Sequence, residues 1–185
     1  MDKRVVAIVP AAGLGRRFGP NPDKAFHNLC GKPLLLWSLE AMESVDEITE
    51  TIPVLRGEDV ERGSEILGRY NLSKIKRIAP GGKERQDSVF NALKLVEDKD
   101  SIVLIHDGVR PLIEKDLIEK AIKELVKRGK GGLKGFDGVI LGVPLKDTVK
   151  EAAEGIIKKT LRRDYLWAIQ TPQVFPYRNI LNAYE

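Results

Sequence analysis

The residues best suited to chemistry lie early in the chain, between Val5 and Leu36. Ala11-Ala12-Gly13-Leu14-Gly15 carries almost no side-chain bulk, and Arg16, Arg17 and Lys24 follow it closely. Small residues let backbone N–H groups approach a ligand, and glycine takes the positive φ that a sharp loop needs. A loop of this kind leaving a strand, followed by fixed cations, is suited to holding phosphate groups. It is not a Walker loop, which ends in Gly-Lys-Ser/Thr where this chain has Gly-Arg-Arg-Phe. Nor is it the dinucleotide fingerprint: Gly13, Gly15 and Gly19 are spaced G-x-G-x-x-x-G. Taken locally, an ordinary glycine-rich turn with solvated arginines also fits the pattern.

Two further stretches share this character. Gly81-Gly82-Lys83 gives flexible backbone and a cation just before Ser88 near the start of a helix, where a Ser or Asp can also simply cap free N–H groups. Arg85 and Asp87 are expected to form a local salt bridge. His106-Asp107-Gly108-Val109-Arg110-Pro111 places a carboxylate at the end of an apolar run beside a glycine. Asp107 there suits a metal–phosphate or sugar-hydroxyl contact, and equally a turn cap or a pair with Arg110. His106 reads as a hydrogen-bonded structural histidine, and His27 has no supporting constellation.

The elements that must position these residues alternate. Val5–Val9 has the length and composition of a buried strand. Pro33–Ser44 is expected as a helix, Ile48–Leu55 as a strand interrupted by Glu50 and Thr51, Glu58–Tyr70 as a helix and Lys74–Ala79 as a strand. Gln86–Val96 (helix), Ile102–His106 (buried strand) and Lys115–Lys127 (amphipathic helix) follow. This order predicts an α/β fold with a doubly wound, mainly parallel sheet and ligands at the carboxyl ends of its strands. The loops after the first, third and fourth strands then meet at one edge. Arg128–Gly135 is the nearest approach to a flexible joint. Lys146–Leu161 reads as strand, turn, strand with Gly155 at the bend. Gln170–Phe175 returns to the core, where Trp167 is expected to pack.

At 185 residues the chain is expected to form a single domain. Its 31 basic and 27 acidic residues leave a mild +4, which suits anionic small molecules as well as a solvated mixed surface. No basic run is interleaved with aromatics, so nucleic acid is not indicated as a partner. One cysteine, Cys30, excludes an internal disulfide, and its setting favours a packed thiol. The opening lacks a signal peptide's apolar region and no segment is long enough to span a membrane, so a soluble cytoplasmic protein is expected.

AAGLGRRFG, DKAF and L-x-GKPLL together resemble the signature of the sugar-phosphate nucleotidyltransferases. GGKERQDSVFNAL, VLIHDGVRP, PLKDTVK and LWAIQTPQVF resemble, in that order, the motifs of the 2-C-methyl-D-erythritol 4-phosphate cytidylyltransferases. The resemblance covers nearly the whole chain. It implies a nucleotide-diphospho-sugar transferase-like fold and transfer of CMP from CTP to 2-C-methyl-D-erythritol 4-phosphate, releasing pyrophosphate, in non-mevalonate isoprenoid biosynthesis. It further implies that Arg17 and Lys24 stabilise charge on the α-phosphoryl group, and that Ala11, Ala12, Gly13 and Gly15 line the nucleotide. Gly82, Lys83 and Ser88 would contact cytosine and ribose, and Asp107 would stand near Mg²⁺, itself bound mostly by phosphate and water. The hairpin of residues 146–161 would be an arm exchanged across a homodimer, carrying Thr148 and Arg163 to the partner's site. Asp23 stands where the family has Pro. The chain also stops soon after QTPQVF, before a family segment that supplies an acidic residue and a lysine. That implies a complete CTP pocket and a weakened acceptor site. The competing readings are a ribitol 5-phosphate cytidylyltransferase, which shares most of these motifs, and a truncated, non-catalytic CTP-binding protein.

Overall fold

The computed structural model describes residues 4–13, 24–130 and 137–185, without the side chains of residues 128–130. The chain begins with strand β1 (Val5–Pro10). A two-residue hairpin follows, β2 (Asn28–Leu29) and β3 (Lys32–Pro33), then helix α1 (Leu34–Glu43). Strand β4 (Ile48–Leu55) leads through a short 3₁₀ turn to α2 (Val60–Leu67). Then come β5 (Ala79–Pro80), α3 (Arg85–Leu93), β6 (Ile102–Ile105) and α4 (Lys115–Lys130). The last part holds β7 (Val139–Pro144), β8 (Lys150–Ala153), β9 (Ile156–Thr160), β10 (Trp167–Pro176) and α5 (Tyr177–Tyr184).

The central sheet runs β5-β4-β1-β6-β10-β7. Pairs β5–β4, β4–β1 and β1–β6 are parallel, whereas β10 runs antiparallel to β6 and β7. The expected mainly parallel α/β sheet is therefore present. Every residue of β1 is buried because helices cover both faces, which is why its sequence is an unbroken apolar run. Val5, Ala7 and Val9 join Leu35, Leu36, Leu39 and Ile118 on the α1/α4 side. Val6 and Ile8 join Val89, Ala92, Leu93 and Tyr177 on the α3/α5 side.

Glu50 does not break β4. A register shift between Val5 and Val6 absorbs one residue, so Ile48 and Ile52 stay buried, and Arg77 holds the Glu50 carboxylate at 2.8 Å. The strand expected over Lys74–Ala79 shrinks to a bridge at Ile75 and the two residues of β5. Its polar side chains explain this. Lys74 Nζ donates to the carbonyls of Glu43, the last residue of α1, and Val45 just beyond it, and Arg77 donates to that of Leu95 beyond α3. These anchors draw an edge segment off the ladder. Helix α4 continues to Lys130, three residues past its expected end and into the proposed joint, whose remaining residues 131–135 lie outside the described residues.

Two expectations about packing are overturned. Cys30 is exposed, because it occupies the β2–β3 turn with φ +51°, followed by Gly31 at +90°, as a tight hairpin demands. Trp167 is 55% exposed: it opens β10 opposite Pro144 of the edge strand β7, beyond the part of the sheet that helices cover. The hairpin within residues 146–161 is present as β8 and β9, turning at Glu154-Gly155. Strand β7 and helix α5 are additions that the sequence reading did not make.

Candidate functional site

The loops that leave the carboxyl ends of β1, β4, β5 and β6 meet in one open cleft of about 780 Å³. Small residues make the meeting possible. A Cβ on Gly81 would lie 2.3 Å from Ala12 Cβ, and one on Gly108 would lie 3.1 Å from Ala11 Cβ and 2.7 Å from Leu35 Cδ1. The Ala-Ala-Gly loop is thus wedged between two glycine loops, and any added methyl would push them apart. Backbone bonds hold the same junction: Ala11 N donates to Val54 O at 2.8 Å, and Gly108 N to Pro10 O at 3.0 Å.

Ala11, Ala12, Gly13, Lys24, Gly82, Lys83, Ser88 and Asp107 all line this cleft. Arg17 and Gly15 lie outside the described residues, as do Arg16, Gly19 and Asp23. Ser88 is buried, and its hydroxyl accepts from Gly82 N at 3.0 Å while donating to Glu84 O at 3.1 Å. In this state it sets the glycine turn. Helix capping is done instead by Glu84 and Asp87, which form a reciprocal capping box. The expected Arg85–Asp87 bridge is absent for that reason. Arg85 reaches across the cleft to Asp107, with Nη2 2.9 Å from Oδ1.

Asp107 sits in a corner of opposite charge. Its second oxygen accepts from Arg110 Nε at 3.0 Å, and Arg110 also donates to the Gln170 side chain. The sequence reading missed Arg56, Gly57 and Glu58, which line the cleft just past β4. Their position at the carboxyl end of a predicted strand was the available signal. Thr148 and Arg163 are exposed and line no part of the cleft. They stand at the foot of the β8–β9 arm, where Arg163 Nη1 donates to Lys146 O at 2.8 Å.

His106 is buried beneath the Asp107 corner, and that burial pushes its imidazole below the usual range, outweighing the favourable Asp107 charge and Arg110 hydrogen bond. A depressed folded value means that the unfolded chain binds a proton first. Stability is therefore full above about pH 6.5 and falls as pH drops through the folded value, by at most about 1.4 kcal/mol per pH unit. Urea midpoints measured across this window are expected to decline in the native protein and to flatten in His106→Gln. Equal slopes would refute the buried neutral imidazole.

The model of the 2-C-methyl-D-erythritol 4-phosphate cytidylyltransferase family matches residues 5–185. The chain belongs to this family. The family enzyme of Alkaliphilus oremlandii is 41% identical over 96% of this chain and 73% of its own length. That of Halalkalibacterium halodurans is 37% identical over 96% and 74%. Among solved structures, 4-diphosphocytidyl-2C-methyl-D-erythritol synthase from Anaerococcus prevotii superposes with a TM-score of 0.80. It is 34% identical, over 99% of this chain and 74% of that one.

For a cytidylyltransferase the donor set of the cleft is informative. Among the described residues no group of three or more His, Cys, Asp or Glu side chains could hold a metal. Glu58, Glu84 and Asp107 are the carboxylates of the cleft wall, and Asp107, with Arg85 and Arg110 on its two oxygens, could give Mg²⁺ at most one contact, the mode in which the ion keeps most of its waters and takes its other ligands from substrate phosphates.

Proposed function

We propose that this chain is a cytoplasmic, Mg²⁺-dependent homodimeric enzyme that transfers CMP from CTP to the phosphate of 2-C-methyl-D-erythritol 4-phosphate. The observation that carries this reading is the convergence of the Ala-Ala-Gly loop, Lys24, the Gly82–Ser88 turn and Asp107 on one cleft. An acceptor phosphate oxygen attacks the α-phosphorus of CTP. The bond from that phosphorus to the oxygen bridging the β-phosphate breaks, and pyrophosphate leaves. The attacking group is already an anion, so no base is required, in keeping with a His106 buried behind the cleft.

The barrier is repulsion between two anions and growing charge on the α-phosphoryl oxygens. Cations fixed beforehand act most strongly on that charge. Lys24 takes this role from the cleft wall, with Arg17, seven residues earlier in the sequence, as its partner. Ala11, Ala12 and Gly13 admit the nucleotide backbone-first, and Gly82, Lys83 and Ser88 shape the place for its base and ribose. Mg²⁺, where bound, neutralises triphosphate charge, with Asp107 as its protein contact.

Every residue of β8 and β9 is exposed, and Ile156 and Ile157 are each 62% open; Val143, Trp167 and Ile169, on β7 and β10, are exposed as well. A second copy covering this apolar surface would bring Thr148 and Arg163 to its partner's cleft. A monomer in sedimentation equilibrium at micromolar concentration would overturn the arm reading.

Pyrophosphate release from CTP and Mg²⁺ is measured with methylerythritol phosphate and with ribitol 5-phosphate, and the product is weighed by mass spectrometry. Turnover with the former is expected. Turnover with ribitol phosphate alone would reassign the acceptor, and CTP binding without turnover would refute the enzyme reading.

A further inference from the structure

His106 is 1% exposed and is absent from the cleft wall, yet both of its ring nitrogens are engaged. Nε2 lies 3.1 Å from Arg110 O, and Nδ1 lies 3.0 Å from Thr171 Oγ1. A carbonyl only accepts, so Nε2 carries the proton and Nδ1 accepts from the threonine hydroxyl. That hydroxyl in turn accepts from Asp107 N at 3.3 Å. One buried ring therefore ties down the Asp107–Arg110 turn at both ends, at Arg110 directly and at Asp107 through Thr171.

The opposite side of the turn is fixed by neighbours that make other motion difficult. Ser38, fully buried on α1, donates towards Gly108 O at 3.1 Å, and Gly108 has no room for a side chain. Ser38 Oγ also lies 3.3 Å from Arg110 O, so at Arg110 the ring adds a second, shorter bond, and at the Asp107 end it acts through Thr171. Hydrogen bonds that fix a backbone behind a functional side chain set that side chain's aim.

We infer that His106 is a positioning residue: with Thr171 it holds the Asp107–Arg110 turn so that the Asp107 carboxylate faces the cleft, clasped by Arg85 and Arg110. The inference rests on the proposed transfer reaction for its kinetic readout only. His106→Phe keeps a ring of similar size and loses both hydrogen bonds. It is expected to lower kcat/KM by about tenfold or more, the scale of a displaced functional group, and to weaken CTP binding in the presence of Mg²⁺ while CTP binding without metal stays native. His106→Gln, which keeps a donor for Arg110 O, recovers most of that loss. In NMR spectra of the same variants, the Arg110 Nε–H signal, held by Asp107 at 3.0 Å, shifts and exchanges faster in His106→Phe and returns in His106→Gln.

Native kinetics together with an unchanged Arg110 signal in His106→Phe would overturn the assignment. So would an equal loss of CTP binding without metal, which would point to general damage. Should that variant fail to fold, Thr171→Val breaks the same chain at its second link, and the same two readouts decide. If the native protein turns over neither alcohol phosphate, the functional proposal fails, while the Arg110 signal alone supports or refutes the positioning role.

Discussion

Lys24→Ala is expected to lower turnover by about a hundredfold or more, as removal of one preorganised charge stabiliser does elsewhere. Lys24 is partly buried in the wall of the cleft, on the segment that enters the β2–β3 hairpin, and its backbone carbonyl accepts from His27 N at 3.3 Å. The backbone that carries its ammonium is thus part of a turn tied at His27. The loss should fall on kcat more than on CTP affinity, because charge on the α-phosphoryl oxygens peaks in the transition state. Lys24→Arg is expected to retain part of the rate, since the charge survives while its shape changes. Steady-state kinetics with saturating CTP provide the check. A near-native kcat in Lys24→Ala would remove this residue from the reaction.

The second large effect requires no charge at all. Gly81→Ala places a methyl 2.3 Å from Ala12 Cβ and 3.2 Å from Leu55 O, neither of which can rotate away. Backbone must shift, and the two loops that shift are those proposed to line the nucleotide. A stability loss of about 1–3 kcal/mol is expected from the overpacking, with CTP binding weakened beyond what the unfolded fraction explains. Removing the opposing methyl tests the cause. In Gly81→Ala/Ala12→Gly the contact with Ala12 disappears, so the double variant should bind CTP more tightly than Gly81→Ala alone, with a coupling of about 1 kcal/mol or more. Strict additivity of the two substitutions would show that the loops do not meet as described.

The sequence by itself determined most of the alternation of strands and helices, because β1 and β6 are apolar runs and α1 and α4 repeat apolar side chains at helical spacing. It also marked loops that meet at the cleft: their residues, glycines, alanines, cations and one aspartate, differ in kind from those of a packed core. Val5–Val9, Ala11–Gly13, Gly81–Ser88 and Asp107 were legible on that basis, and the ordered motifs sufficed to place the chain in its family. Partners distant in sequence were not legible. Arg85 could pair with Asp87 beside it or with Asp107 across the cleft, and the choice fell to Asp107 because Asp87 is engaged in capping α3. Lys74 and Arg77 look like strand residues until α1 and α3 offer them carbonyls. Trp167 looks like a core residue until the sheet places it on an uncovered margin. His106 carries no sign in the sequence of which nitrogen holds its proton. Arg110 and Thr171 decide that, one four residues away and the other on the antiparallel strand that closes beside β6. Periodicity and residue type act over a few neighbours and survive in the linear order, whereas pairing between charges and hydrogen-bonding groups depends on which surfaces the packed sheet and helices bring together.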